Sequence, residues 1–238
     1  MKNYILMFVL FWSLNINAQN EPPIRFYQNY KAGFKDKTGK IIVPALYESA
    51  SEFKNGFAIV SIGNKKGFIN QQGKIAVEMQ FADVSLFENG LAAAKINGKY
   101  GYINTNGSWE IEPKYDEAYT FSNNRARVKL NGLYGYINNQ GEEIISCQFK
   151  VASEFMNNIA VVCNTQNQYF YIDLLNKPLF NKIFEFALPF LNYETAKVKI
   201  KNENFIINKK GEILEKFTTQ GEKEINERKE HKTQENEK

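Results

Sequence analysis

Apolar and polar residues alternate along this chain in runs of four or five, punctuated by glycine and asparagine, which is the pattern of half-buried strands joined by tight turns. Ala58-Ile59-Val60, Ala92-Ala93-Ala94, Ala126-Arg127-Val128 and Ala160-Val161-Val162 each open such a run. Ile96-Asn97-Gly98-Lys99 and Leu130-Asn131-Gly132 then supply Asn-Gly, whose two residues both tolerate positive φ and so favour a two-residue hairpin. A second strand carrying Gly-Tyr-Ile-Asn follows. Asn104-Thr105-Asn106-Gly107 and Asn138-Asn139-Gln140-Gly141 turn it into a third strand such as Gly141 to Gln148. The pattern therefore predicts an all-β chain of three-stranded antiparallel meanders, each joined to the next by a longer link.

The meanders are copies of one unit. Gly33-Phe34, Gly67-Phe68, Gly101-Tyr102 and Gly135-Tyr136 recur every 34 residues, and Gly39, Gly73, Gly107 and Gly141 follow each pair by six. Aligned on these glycines, Tyr47, Phe81, Tyr115, Phe149 and, one residue late, Phe184 form one aromatic column. Phe53, Phe87, Phe121, Phe155 and Phe190 form another, six positions further on. Six units fit, starting near Ile24, Ala58, Ala92, Ala126, Ala160 and Ala196 and ending near Phe217. The last two depart from the consensus: Phe170-Tyr171-Ile172-Asp173 and Phe205-Ile206-Ile207-Asn208 stand where the others have Gly-aromatic-Ile-Asn. Units of this size bury too little to fold alone, so the aromatic columns are expected to form ladders shared between neighbours. Propeller blades usually have four strands in 40 or more residues. Three strands in 34 favour an open, curved stack, with a closed six-bladed propeller-like ring as the alternative.

The ends of the chain read differently. Lys2, the apolar run Tyr4 to Leu14 and then Asn15, Asn17 and Ala18 have the order of a signal peptide, expected to span residues 1–18 and to be removed. That run is shorter than the roughly 20 residues a membrane-spanning helix needs. The mature repeat domain, 19–217, is thus expected to be exported to the periplasm or beyond the cell, without a membrane span. Residues 218–238 hold no aromatic residue and alternate Glu, Lys, Asn and Gln, which predicts a charged, disordered tail. The formal charge of +4 is small and scattered, and nucleic acid is not an expected partner. With only Cys147 and Cys163, the fold must be held by its core. A bond between them and two separate thiols are both compatible with their place in neighbouring strands.

The series Gly67-Phe68-Ile69-Asn70, Gly73-Lys74-Ile75, Phe81-Ala82-Asp83-Val84 and Phe87-Glu88-Asn89-Gly90-Leu91-Ala92, repeated in three other units, resembles the WG (KWG) β-repeat family of bacterial proteins. The resemblance covers nearly all of residues 24–217. The family's Trp before the glycine is replaced here by Ala32, Lys66, Tyr100 and Tyr134. The resemblance implies a β-repeat scaffold with a binding role and brings no catalytic residues.

Candidate chemistry is sparse. The one histidine, His231, lies in the expected tail, which leaves no base for a catalytic triad and no histidine metal site. Glu48, Asp83, Asp116 and Glu117 follow the aromatic column as turn or rim acids, and no calcium loop or phosphate-binding glycine loop is present. No catalytic residue, metal site or cofactor is expected. Alternation sends Tyr102 and Tyr136 to one face of the second strand and Tyr100 and Tyr134 to the other. If the first pair is core, Tyr100, Tyr134 and the sole mature tryptophan, Trp109, form the candidate ligand surface, the other reading being cross-strand packing partners. The leading expectation is an exported noncatalytic scaffold that binds another protein of the envelope or outside the cell. A carbohydrate- or cell-wall-binding module using exposed tyrosines is the alternative.

Overall fold

The computed structural model describes residues 21–190 and 194–218. The expected signal segment and all of the expected tail beyond Thr218 lie outside the described residues. Among the described residues there is no helix, and six antiparallel sheets of three or four strands follow one another along the chain, none closed on itself. The first long strands of the six are Ile24–Gln28, Phe57–Ile62, Leu91–Ile96, Ala126–Leu130, Ala160–Cys163 and Thr195–Ile200. Two compact units divide the chain within the third sheet: one holds the described residues up to Ile96 with Ile103–Ser108, the other Asn97–Tyr102 and the residues from Trp109 onward.

The all-β array of meanders holds, and the structure adds a strand to it. Each link contributes a two-residue strand, Ser49–Ala50, Asp83–Val84, Glu117–Ala118, Val151–Ala152 or Phe186–Ala187, that pairs antiparallel with the next unit's first long strand. Four of the six sheets consequently have four strands. Two residues are too few for an alternation to show in sequence, so this strand is defined by its neighbour's carbonyls and not by its own pattern.

The hairpin turns follow the backbone chemistry of their residues. Asn97 and Gly98 have φ of 50° and 81°, the doubly positive geometry that a two-residue hairpin needs. At the other end of the second strand, the Asn104 carboxamide oxygen accepts the N–H groups of Asn106 at 3.0 Å and Ser108 at 3.1 Å. This local turn recurs at Asp36, Asn70, Asn138 and Asn208.

The glycine of each Gly-aromatic pair has a different reason. Between the pairs Phe34↔Val43 and Ala32↔Tyr47, three residues of the third strand, Pro44, Ala45 and Leu46, face Gly33 alone. The bulge pushes backbone onto the glycine. A Cβ on Gly101 would stand 2.3 Å from the Ile111 carbonyl oxygen, and at Gly33, Gly67 and Gly135 the nearest backbone atom would be 2.5–2.7 Å away. Only a residue without a side chain fits there.

Both aromatic columns are core. In the first unit Phe34 meets Phe53 at 4.9 Å between ring centroids and Phe68 meets Phe87 at 4.4 Å. In the second, Tyr102 meets Phe121 at 4.8 Å, Tyr136 meets Phe155 at 4.7 Å and Tyr171 meets Phe190 at 5.0 Å. Each joint thus ties a second strand to the link that leaves its sheet, as the expected ladders require. Tyr102, Tyr136 and Tyr171 also donate their hydroxyls to the Tyr119, Ser153 and Leu188 carbonyls of those links at 2.6–2.7 Å. Cys147 and Cys163 are free thiols. Burial pushes the Cys147 thiol up to about 11 and raises that of Cys163 as well.

Candidate functional site

The fourth sheet carries a polar and aromatic cluster around Tyr134, one of the three residues singled out in the sequence. Its register places Glu117 of the link strand opposite Lys129, and Lys129 opposite Tyr134 of the strand Leu133–Ile137. Three consecutive strands therefore put an acid, a cation and a phenol in one row. Tyr119 and Arg127 stand two residues further along on the same face, as the two-residue period of strands dictates.

The Glu117 carboxylate accepts three bonds at 2.8 Å, from the Lys129 ammonium on Oε1 and from the Tyr119 and Tyr134 hydroxyls on Oε2. The Lys129 bond, helped by both phenols and opposed by burial, holds Glu117 down to about 2. Burial and then the bond to Glu117 raise the Tyr119 phenol, while Glu117 raises Lys129. The Arg127 guanidinium lies 3.8 Å from the Tyr119 ring centroid and 5.4 Å from that of Tyr134, and Lys129 Nζ is 4.9 Å from the latter. Arg127 also donates to the Ala152 carbonyl, and its Nε is 3.3 Å from Glu154 Oε1.

This arrangement is built for holding shape. A carboxylate near 2 is too weak a base, and a raised phenol too weak an acid, to exchange protons at neutral pH. No group of three or more His, Cys, Asp or Glu side chains converges as metal ligands among the described residues. What the cluster offers is two tyrosines and an arginine, half-buried and fixed by their own bonds, which are the residue types enriched where proteins bind proteins.

Of the three residues singled out in the sequence, Tyr134 lies inside this cluster. Its hydroxyl is committed to Glu117 and its ring carries two cations, so it is no free tyrosine face. Tyr100 holds the equivalent place in the third sheet, on the strand Lys99–Asn104, and is half-buried beside Lys99, whose ammonium is 2.5 Å from Asp116 Oδ1. Trp109 opens the third strand of that sheet, Trp109–Tyr115, and is also half-buried. Glu117, read from sequence as a rim acid, is instead the hub of the cluster.

Tyr119, Arg127 and Lys129 were not singled out, although the columns hold a signal for two of them. Ser51, Ser85 and Ser153 occupy the Tyr119 place in other units, where each hydroxyl accepts a backbone N–H from Ile59, Ala93 or Val161. Tyr119 breaks that column. Arg127 likewise replaces the apolar Ile59, Ala93 and Val161. Arg25 breaks the same column in the first sheet, donating to the Ala50 carbonyl and pairing with Glu52 at 2.9 Å.

Among solved structures, the chain is similar to the computationally designed Ika8 protein, at 9% identity over 83% of this chain and 71% of that one, with a TM-score of 0.47. Hsv2 of Kluyveromyces lactis is similar at 10% identity over 68% of this chain and 60% of its own, with a TM-score of 0.44. A eukaryotic initiation factor is similar at 8% identity over 82% and 62%, with a TM-score of 0.50. The chain spans about three fifths of the length of the last two, and likeness at such identities concerns fold alone. No curated protein matches the chain. The model of the WG-containing repeat matches four times, at residues 33–65, 67–100, 100–134 and 134–166. These matches take in more than half of the sequence and fall on the glycines, bulges and aromatic joints described above, and so the chain belongs to the WG-containing repeat family.

Proposed function

We propose that this WG-repeat scaffold is an exported, noncatalytic protein that binds another protein in the cell envelope or outside the cell, through the cluster of the fourth sheet. The observation that carries the reading is the Arg127–Tyr119–Tyr134 stack, preordered around an ionised Glu117. Such a surface loses little side-chain freedom on binding. Export rests on the sequence of residues 1–18.

Capture from envelope extract with the mature chain tests it. A partner retained by the wild type and lost with Arg127→Ala, at unchanged circular dichroism, supports the reading. A partner retained equally by both moves the site elsewhere. The carbohydrate reading is tested alongside by a glycan array with Tyr100→Ala and Tyr134→Ala: sugar binding abolished by either defeats the protein-partner reading. The commitment of the Tyr134 hydroxyl to Glu117 and the cations on its ring speak against a sugar stacking there.

A further inference from the structure

Among the described residues, the first sheet lacks the neighbour that every other sheet has. In the second sheet Ser49 and Ala50 of the link pair with Ser61 and Val60, and the Glu48 and Ser51 N–H groups donate to the Ser61 and Ile59 carbonyls, each at 2.9 Å. The third to sixth sheets repeat this pairing. The corresponding places in the first sheet, 34 residues earlier, are Tyr27 and Arg25. Among the described residues no strand pairs with the outer edge of Ile24–Gln28. Gln28↔Lys31 closes the two-residue hairpin, so alternation turns the N–H and C=O of Tyr27 outward, away from the sheet's own ladder.

The face beside that edge is open in the same way. A Cβ on Gly73 would stand 2.5 Å from Val43 of the preceding sheet, with 2.9 Å for Gly107 and Val77, 3.1 Å for Gly141 and Ile111, and 2.5 Å for Gly211 and Phe180. Among the described residues nothing lies within 4 Å of that point on Gly39. Tyr27 is 58% exposed and Ile41 53%.

We infer that the open edge and face of the first sheet bind an extended segment of another polypeptide, of the pattern aliphatic or aromatic, three residues, aromatic, two residues, small. The internal joints define that chemistry, because the bound segment continues an interface the chain builds five times. Val43, Tyr47 and Ala50 make the first joint; Val77, Phe81 and Val84 the second; Phe180, Phe184 and Ala187 the last. In each, the first residue covers the glycine turn, the second enters the core, and the third lies on the added strand. Strand addition gives affinity through main-chain bonds and specificity through alternate side chains. The chain's own flanks do not fit: in register, Ser13 and Ile16 precede the first sheet at the aromatic and small places, and Glu215 and Glu222 take the first and last places after the sixth. The occupant is therefore a different polypeptide.

This inference rests on the protein-binding reading but uses a surface other than the fourth-sheet cluster. The probe is a labelled synthetic peptide with the sequence of residues 41–53, titrated against the mature full chain by fluorescence anisotropy. Saturable binding is expected, weakened at least tenfold by Tyr27→Pro, because proline there removes an outward N–H and spares the sheet's own bonds. Ile41→Lys on the open face is a second variant and should weaken binding similarly, while Arg127→Ala should leave it unchanged. A peptide carrying Tyr47→Ser and Ala50→Gln should not bind. Equal binding of that peptide, or binding indifferent to both folded variants, overturns the inference. So does sedimentation showing that the chain pairs with itself through this edge and that Tyr27→Pro abolishes the pairing. Peptide binding with failed capture by the fourth-sheet cluster would refute only the proposed site of that cluster, and the converse would refute only this one.

Discussion

The first four sheets and the last two solve the same problem differently. In the first, second and fourth, three third-strand residues crowd onto the glycine of the Gly-aromatic pair, at Gly33, Gly67 and Gly135. Phe205 holds that place in the sixth sheet, and there the pairing is regular across it, with Phe205 opposite Lys216 and Ile206 opposite Glu215, the register shifting only beyond it, between Ile206 and Ile207. Phe170 holds it in the fifth, which has no third strand. The chain there meets the sheet through the isolated bridges Tyr169↔Phe184 and Ile172↔Pro178 and the Leu179 N–H donating to the Tyr171 carbonyl at 2.8 Å, and packs Phe180 against Tyr171 at 5.7 Å. Glycine and the bulge opposite it are thus one device: once a side chain occupies the place, the third strand either pairs regularly across it or leaves the sheet.

Gly101→Val should break the regular arrangement with the largest effect. Overpacking costs about 1–3 kcal/mol where side chains can give way, but this Cβ meets the Ile111 backbone, so a loss above about 4 kcal/mol in urea unfolding is expected. Phe205→Val at the same place in the sixth sheet sharpens the contrast. It trims a partly buried ring with no bulge directly opposite it, and about 1–3 kcal/mol is expected. Equal losses in the two variants would separate glycine from bulge.

The aromatic joints come next, since they are common to both kinds of sheet. Phe121 is 1% exposed and packs on Tyr102. Phe121→Ala should cost about 3–5 kcal/mol, read as a fall in the thermal midpoint. A midpoint within a degree of wild type would remove the joint from the core. Tyr136→Phe keeps the ring and deletes only the hydrogen bond to the Ser153 carbonyl. A loss of about 1 kcal/mol is expected, and the native Phe34 and Phe68 joints show that the ring contact persists without the hydroxyl.

The period, the order of the three long strands and both aromatic columns were legible because each is a side-chain requirement repeated at a fixed place. The two-residue link strands were not, because Ser49–Ala50 or Val151–Ala152 has no pattern of its own. The bulge left only the glycine as its trace. For the candidate site, alternation put Tyr102 and Tyr136 on one face of the second strand and Tyr100 and Tyr134 on the other without saying which was core; the first pair is the buried one, at 0% and 1% exposed. It did not give the surroundings of Tyr134, since those depend on the residues that two other strands bring alongside, Glu117 and Tyr119 from the link and Arg127 and Lys129 from the first strand. Reading the broken columns, where tyrosine replaces serine and arginine replaces an aliphatic residue, is what would have located it.

The smallest effect expected is a pH dependence that sets the fourth sheet apart from its neighbours. Glu117 lies near 2 in the folded chain, below its ordinary 4.5, chiefly because Lys129 and then the two phenols bind the charged form. A depressed carboxylate contributes stability that is fully present above its unfolded value and is lost as pH falls through the folded one. The contribution should therefore fade between about 4.5 and 2 and be constant at higher pH. The corresponding place in the second sheet is Ser49, whose hydroxyl bonds Ser61 and does not titrate in this range. Glu117→Gln removes the titration while keeping an acceptor for Tyr119 and Tyr134. Thermal midpoints of wild type and variant should lie further apart at pH 6 than at pH 2.5, with the wild type the more stable at pH 6. Because the side chain is 37% exposed, solvent screens the gain and the gap should be modest. A gap of the same size at both pH values would mean that the Lys129 bond contributes nothing through charge, and the cluster would then hold its tyrosines by packing and by their rings against Arg127 alone.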